Sequence, residues 1–276
     1  LLSGPEMRLE FGRHLLGSLP PPLAQAHGQG AEAFAVALSA HLATAPAAFA
    51  VMETLYLIDD ELVRPAFLAE LAKAPLQAPH FQSLRHIYKA AEYRKDPRVF
   101  GLLAHRFETV RANATRSTAA PQVVYSMATR EYLRRRVWRT LRRLGQAEDA
   151  DFVPLAVGTL LAYADADAQS ARAGYDAFSN YRAFNHLLFT HSPRYELRRN
   201  TKAFRLKRGQ RAGQPPPQTR EEAFPHLWDA NPSGLMLLLA ESGCLPVHEF
   251  AARALQHRAD VLAALDDDDL AMLLGR

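Results

Sequence analysis

The sequence predicts an all-α protein, an irregular α-solenoid of helical hairpins interrupted by one basic insertion. Three observations support this fold class. Apolar residues recur at steps of three and four along most of the chain, as on one face of an α-helix. The alternation typical of strands is almost absent, and turn residues divide the helical segments into short pairs. Because such a pair cannot bury its apolar face alone, tandem pairs are expected to stack.

The N-terminal third is predicted to hold a tail followed by three helices. Residues 17–30 contain three consecutive prolines and three glycines, a composition typical of a linker. Residues 1–30 are therefore expected to form a tail and linker, and residues 31–276 a single helical repeat domain. The first helices of that domain are predicted at residues 31–42, 46–57 and 61–72.

A first helical hairpin is predicted from two adjacent periodic segments, residues 80–93 and 97–112. Asp96 is placed to cap the second helix, and Pro97 occupies its first position, where a missing N–H costs nothing. The two helices are expected to form a tight pair.

A second hairpin is predicted from residues 129–144 and 152–163. Gly145 stands where a left-handed residue commonly ends a helix. Asp149 or Asp151 is expected to cap the helix that follows.

The C-terminal third is predicted to contain a third hairpin and the insertion. The hairpin pairs residues 235–241 with residues 245–255, and short helices are expected at 261–265 and 270–274. Residues 192–219 include three consecutive prolines and many cations, and long insertions of this kind are usually functional or disordered.

Two segments resemble HEAT-type repeats. YLRRRVWRTLRRLG, which begins at Tyr132, and CLPVHEFAARAL, which begins at Cys244, each place arginine on an amphipathic helix beside a Gly or Asp turn. The resemblance covers about two thirds of the chain and implies a solenoid, with a generic helical bundle as the alternative. FNHLLF, from Phe184, is also similar to the helical-repeat part of bacterial proteins that carry a WGR domain, although no Trp-Gly-Arg tripeptide occurs here.

Charge is strongly segregated along the chain. The net charge is only +4, but residues 85–143 hold fifteen Lys or Arg against four acids, and residues 194–211 hold eight against one. The remaining segments are acidic. Clustering of this kind is typical of proteins that bind polyanions.

One side of the helix predicted at residues 129–144 gathers arginines. A helical wheel places the apolar side chains of Leu133, Val137, Leu141 and Leu144 on the other side. The arginine side consists of Arg135, Arg136, Arg139, Arg142 and Arg143. No acid lies among them, so mutual repulsion is expected to favour an anionic partner. A solvated surface neutralised by acids of a neighbouring repeat is the alternative.

The second basic block interleaves cations with Tyr195 and Phe204 and is predicted to be a flexible arm. Its cations are expected to contact phosphates, and its aromatic rings to stack on exposed bases. The expected contact residues are Arg198, Arg199, Lys202, Phe204, Arg205, Lys207, Arg208 and Arg211. An anionic lipid surface, an acidic protein or a merely solvated loop are the alternatives.

Two further arginines are predicted to be structural. Arg106 and Arg134 fall on or beside the apolar stripes of their helices, so both are expected to be partly buried. A buried arginine needs a carboxylate or carbonyl partner, and Asp96, Asp149 or Asp151 could provide it.

No motif in the sequence indicates catalysis. P-loop, dinucleotide-binding, serine-hydrolase and zinc-protease motifs are missing, so no catalytic residue, metal ligand or cofactor is predicted. Cys244 and His248 are not expected to form a catalytic pair. HEAT-like DNA glycosylases pair an acid with tryptophans in a basic groove, so a glycosylase is a further alternative, with candidates Trp138, Asp149, Asp151, Trp228 and Asp229.

The chain is expected to be cytoplasmic. Its single cysteine excludes an internal disulfide and a cysteine-based zinc site. No apolar run is long enough to span a membrane, and the start lacks the order of a signal peptide. The acidic residues 266–269 are expected to open the last helix and to mask the basic face until nucleic acid arrives.

Together these features predict non-catalytic binding of nucleic acid, DNA more than RNA, mainly through phosphate contacts. A protein-interaction scaffold for an acidic partner is the alternative.

Overall fold

The computed structural model describes residues 12, 14–112, 125–170, 172–200, 202–256, 258–263 and 266. Over these residues the protein is mostly helical, which confirms the all-α class. The predicted helix at residues 270–274 and the acidic residues 267–269 lie outside the described part, as do residues 113–124. In the described part, no helix combines the length and apolarity needed to cross a membrane.

The chain divides into two compact units, of which the first comprises Leu1–Ala91 and Arg111–Thr129. Its helices include α1 (Pro21–His27), α2 (Ala31–Thr44), a 3₁₀ turn (Pro46–Ala50), α3 (Val51–Ile58) and α4 (Arg64–Lys73). Helix α5 (His80–Arg94) begins in this unit and ends in the second.

Helix α1 corrects the interpretation of residues 17–30 as a linker. Pro21 takes the first position of the helix, where proline is favoured, and the residues after the prolines are good helix formers. Leu23 of α1 is fully buried, as are Phe34 and Leu38 of α2, against which α1 packs. This segment therefore belongs to the core of the first unit.

The second unit comprises Glu92–Val110 and Arg130–Arg276. Its elements are α6 (Pro97–Thr109), α7 (Met127–Gln146), which begins in the first unit, α8 (Phe152–Leu161), a 3₁₀ turn (Asp165–Asp167), α9 (Arg182–Phe189), β1 (Tyr195–Leu197), β2 (Phe204–Leu206), α10 (Pro225–Ala230), α11 (Ser233–Glu241), α12 (Leu245–Gln256) and α13 (Ala259–Ala263).

The most extensive helix packing joins α6 to α8 rather than to a helix next to it in sequence. Gly101 and Gly158 allow the two backbones to approach closely, because a Cβ built on Gly101 would lie 1.9 Å from the Gly158 carbonyl oxygen. Helices α11 and α12 pack together, as the third predicted hairpin requires. In a solenoid of sequential hairpins, each helix would pack mainly on the next helix in sequence. These pairings do not confirm that arrangement.

Helix termini follow some of the predicted signals. Asp96 caps α6, since its carboxylate accepts the Val99 N–H at 3.2 Å. Gly145 is helical instead of left-handed, because α7 continues to Gln146, and Glu148 takes the left-handed conformation with φ of 52°. Asp149 accepts the Asp151 N–H at 2.9 Å, and Asp151 makes no capping bond through its side chain.

The insertion contains an ordered β-hairpin, which corrects the prediction of a flexible arm. Strands β1 and β2 are antiparallel, with Tyr195 opposite Leu206 and Leu197 opposite Phe204. The side chains of Tyr195, Phe204 and Leu206 form a small buried cluster with Phe189 of α9. The apolar side chains of this cluster therefore fix the hairpin to the helical body.

Buried Glu221 ties the start of the hairpin to helix α12. One of its carboxylate oxygens accepts from Arg194 at 2.7 Å and from Arg253 at 3.1 Å, and the other accepts from the Ser192 hydroxyl. Burial opposes ionisation of Glu221, but these partners outweigh it and lower its pKa.

We predict that Gly158→Ala destabilises the second unit by about 3 kcal/mol, because the new Cβ would lie 2.1 Å from the Pro97 carbonyl oxygen. Urea unfolding followed by tryptophan fluorescence measures this loss, since both tryptophans lie in the second unit. Gly243→Ala is the control, because a Cβ there makes only an ordinary contact with Ala164. Equal stability of the two variants would contradict the close packing of α6 and α8.

Candidate nucleic-acid interface

Three elements of the second unit enclose a cavity of about 450 Å³, here called the basic cleft. Helix α7, helix α9 and the β-hairpin contribute its lining, which consists of Tyr132, Arg135, Trp138, Arg139, Arg142, Arg182, His186, Leu197 and Lys202. None of these described lining residues is acidic. The cleft therefore concentrates positive charge around an apolar surface.

Helix α7 supplies the largest share because its residues repeat at helical spacing. Tyr132, Arg135, Arg139 and Arg142 follow one another at steps of three or four residues, so they form one stripe. The three arginines are exposed. The opposite stripe, Leu133, Val137, Leu141 and Leu144, is buried, as predicted.

Two of the five predicted arginines do not line the cleft. Arg143 is exposed on α7 outside the lining. Arg136 forms an ion pair with Glu92 at 2.5 Å and donates to the Tyr132 hydroxyl at 2.9 Å. These bonds raise the pKa of Arg136. The expectation that no acid relieves this arginine face is therefore wrong for Arg136, because Glu92 comes from the end of α5.

The β-hairpin brings part of the predicted arm to the same cleft. Lys202, which has a positive φ of 56°, and Leu197 both line it. Phe204 is only 4% exposed, which rules out stacking of its ring on an incoming base. The predicted role of Phe204 is thus wrong, because the ring packs in the core beneath the hairpin.

The other predicted arm residues lie outside the cleft lining. Arg198 pairs with Glu196 at 3.3 Å, and Lys207 donates to the Ser192 carbonyl at 3.4 Å. Arg205 is half-buried. The remaining three are exposed, namely Arg199, Arg208 and Arg211.

Stacked aromatic rings form the inner wall of the cleft. Trp138 and His186 stack with ring centroids 4.4 Å apart and an interplanar angle of 3°. Phe204 meets His186 edge-on, with ring centroids 5.0 Å apart. Burial, together with Arg182 and Arg142, lowers the pKa of His186 to about 4, so the ring is neutral near pH 7.

A buried carboxylate holds α7 and α9 in place. Glu108, at the end of α6, is 2% exposed and accepts from the Arg134 Nε at 2.5 Å. Its second oxygen accepts the Ala183 N–H at 3.1 Å, in the first turn of α9. One side chain therefore sets the positions of both helices that line the cleft.

The predicted burial of Arg134 and Arg106 is confirmed. The partners of Arg134 differ from those expected, because it binds Glu108 and Glu131 and also donates to the Asn180 carbonyl. Burial alone would lower the pKa of Arg134, but the two carboxylates outweigh it and raise the pKa.

Sequence reasoning missed three lining residues, Tyr132, Arg182 and His186, and it named Trp138 only as a candidate for the glycosylase alternative. The sequence features that could have indicated some of these residues are spacings of three or four residues along a helix. Tyr132 extends the arginine stripe of α7 by one turn, and Arg182 and His186 are four residues apart on α9. Spacing within a helix does not show which helices face each other, so the pairing of Trp138 with His186 had no signal.

The candidate residues for chemistry do not converge. Trp228 is fully buried and donates to the Ala223 carbonyl, and Asp229 pairs with Arg220 at 3.0 Å. Burial raises the pKa of the Cys244 thiol to about 12, which keeps it protonated near pH 7. Among the described residues, no three His, Cys, Asp or Glu side chains form a group suited to a metal ion.

A larger cavity of about 980 Å³ lies between α8 and α11 and shares no lining residue with the basic cleft. Its lining is mainly apolar, with Arg98, Glu241 and Asp260 as its charged members. Charges of both signs occur there, whereas the charged residues of the basic cleft all carry the same sign, so the basic cleft is the better candidate for a polyanion site.

Comparison of the chain with protein-family models, with curated proteins and with solved structures finds no match. The HEAT-type resemblance thus stays a prediction. The geometry and charge of the cleft are the features of the described residues that bear on function.

We predict that Glu108→Gln lowers the free energy of unfolding of the second unit by about 3 kcal/mol, because it removes the buried one of the two carboxylates that neutralise Arg134. Urea unfolding measures the change. Glu249→Gln, at an exposed position of α12, is the matched control and should have little effect. A loss no greater than that of the control would show that Glu108 does not organise the helices.

We also predict a pH effect from His186. Because its folded pKa is about 4, below the ordinary value of 6.5, the unfolded state binds more protons between these values. This contribution to stability is therefore complete above pH 6.5 and is lost as the pH falls towards 4. When the pH falls from 7 to 4.5, the free energy of unfolding of His186→Phe should decrease by about 2 kcal/mol less than that of the wild type.

The pH effect is measured as the difference between urea unfolding free energies at the two pH values. The same replacement at His226, exposed in α10, is the control. Identical pH dependence in wild type and His186→Phe would contradict a half-buried imidazole that is neutral near pH 7.

Proposed function

We propose that this protein binds nucleic acid, DNA in preference to RNA, through phosphate contacts in the basic cleft and without catalysing a reaction. One observation carries the proposal. Arg135, Arg139 and Arg142 of α7 and Lys202 of the hairpin, drawn from both basic blocks of the sequence, line the same cavity.

Without an anionic ligand, the close placement of these cations raises the electrostatic free energy of the folded protein. The exposed arginines of the cleft repel one another, and no described residue of the lining offsets them. Arginine also suits phosphate better than lysine does, because its planar guanidinium donates two parallel hydrogen bonds. A phosphate backbone supplies repeated charges at a spacing that several cations can contact together.

We also propose a HEAT-like repeat arrangement, a relationship to bacterial WGR-associated proteins and a cytoplasmic location. These three proposals rest on the sequence features described above. The exposed Arg199, Arg208 and Arg211 are proposed to add phosphate contacts beyond the cleft.

We predict that the double variant Arg139→Glu/Arg142→Glu lowers affinity for a labelled DNA oligonucleotide by roughly 100-fold at low salt, since it places two acids among the remaining cations. Fluorescence anisotropy titrations at several salt concentrations measure the affinity. The slope of log K against log salt should become shallower by about two, one for each lost phosphate contact.

Arg143→Glu reverses one charge on the same helix, outside the cleft, and is the control for charge reversal, with half the change in net charge. It should weaken binding far less than the double variant. Equal losses would show a diffuse electrostatic surface instead of a site in the cleft. Absence of nucleic-acid binding by the wild type at low salt would refute the proposal and favour an acidic protein as the partner.

A further inference from the structure

The basic cleft combines its cations with an exposed apolar surface, which phosphate binding alone does not require. Tyr132 is 39% exposed and Leu197 is 44% exposed, and both line the cavity beside Arg139 and Lys202. Exposed apolar side chains at a concave site indicate a ligand with an apolar face. A nucleobase has such a face, and its flanking phosphates carry the charge that the cations require.

From this combination we propose that the cleft accepts an unpaired nucleobase, so that the ligand is a single-stranded nucleic acid. This inference rests on the proposed function and narrows it. The base would contact the apolar wall made by Tyr132, Trp138 and Leu197. The neighbouring phosphates would contact Arg135, Arg142 and Lys202.

A base within a duplex does not meet these requirements. Both of its faces are covered by stacked neighbours, and its pairing edge is covered by the opposite strand. A cavity of about 450 Å³ falls within the range of pockets that enclose a small molecule. An unpaired base can enter such a pocket, whereas a paired base must first be removed from its stack.

The aromatic wall is fixed before a ligand arrives. Trp138 stacks face to face on His186, and the His186 ring makes an edge-on contact with the buried Phe204. Arg139 lies over the Tyr132 ring with its guanidinium carbon 6.0 Å from the ring centroid, and Arg136 donates to the Tyr132 hydroxyl at 2.9 Å. Rings held in this way lose little freedom when a base binds, which favours affinity.

Charge and stacking act on neighbouring parts of the same ligand. Arg139 contacts the ring of Tyr132, so a phosphate bound by this arginine would lie next to a base on the aromatic wall. Proteins that bind single strands commonly combine a basic groove with aromatic surfaces in this way, and the binding tolerates many sequences.

The experiment compares four oligonucleotides of equal length with the full chain at one low salt concentration: single-stranded DNA, single-stranded RNA, duplex DNA and an abasic DNA strand. Anisotropy is expected to show at least about tenfold tighter binding of a single strand than of the duplex or the abasic strand. The two single-stranded arms decide between DNA and RNA as the source of the base.

Tyr132→Ala should weaken single-strand binding roughly tenfold and change duplex and abasic binding far less, because the base loses an aromatic surface while the cleft keeps its cations. Tyr93→Ala is the matched control, since Tyr93 is 75% exposed and does not line the cleft. Circular dichroism of each variant verifies that the helices remain folded.

Tryptophan fluorescence gives a second signature. Trp228 is fully buried, so a change in emission on adding a single strand should come from Trp138 and should vanish in Trp138→Phe. Equal affinity for single strand, duplex and abasic strand would overturn the inference and leave phosphate binding standing. Failure to bind any of the four would overturn the proposed function as well.

Discussion

The buried carboxylate of Glu108 is the interaction on which the second unit depends. It joins the end of α6 to Arg134 on α7 and to the first turn of α9, and it is almost without solvent contact. Arg130 strengthens the same junction by donating to the Phe107 and Glu108 carbonyls. A buried ion pair adds little net stability, but it fixes geometry when every lone pair is satisfied. Here it fixes the two helices whose outer faces form the cleft.

This arrangement explains how the protein can carry a face of like charges. The leucines and Val137 behind the arginines bury the apolar stripe of α7, and Arg134 is neutralised beneath the surface. Glu92 forms an ion pair with one further arginine of α7, Arg136. The cations that remain uncompensated in the cleft are therefore the ones that no internal carboxylate reaches. Segregation of charge in the sequence becomes a division between inner cations that support the fold and outer cations that face a ligand.

The sequence predicts the local features well because they depend on nearest neighbours along the helix. The periodicity of α7, the Asp96 cap and the burial of Arg134 all follow from steps of three and four residues. Contacts between distant segments are not predictable in this way. Glu108 is 26 residues from Arg134 and Glu92 is 44 residues from Arg136. The hairpin was missed because its strands are only three residues long and lie within a segment dominated by cations.

The carboxylate of Glu221 connects the hairpin that lines the cleft to the C-terminal helix α12. Arg194 before β1 and Arg253 on α12 share the same carboxylate oxygen, and the Ser192 hydroxyl binds its neighbour. The base of the hairpin that carries Lys202 is therefore bonded through Glu221 to the C-terminal helix α12. A substitution of Arg253 on α12 is expected to alter the position of the hairpin, although Arg253 is not part of the cleft lining.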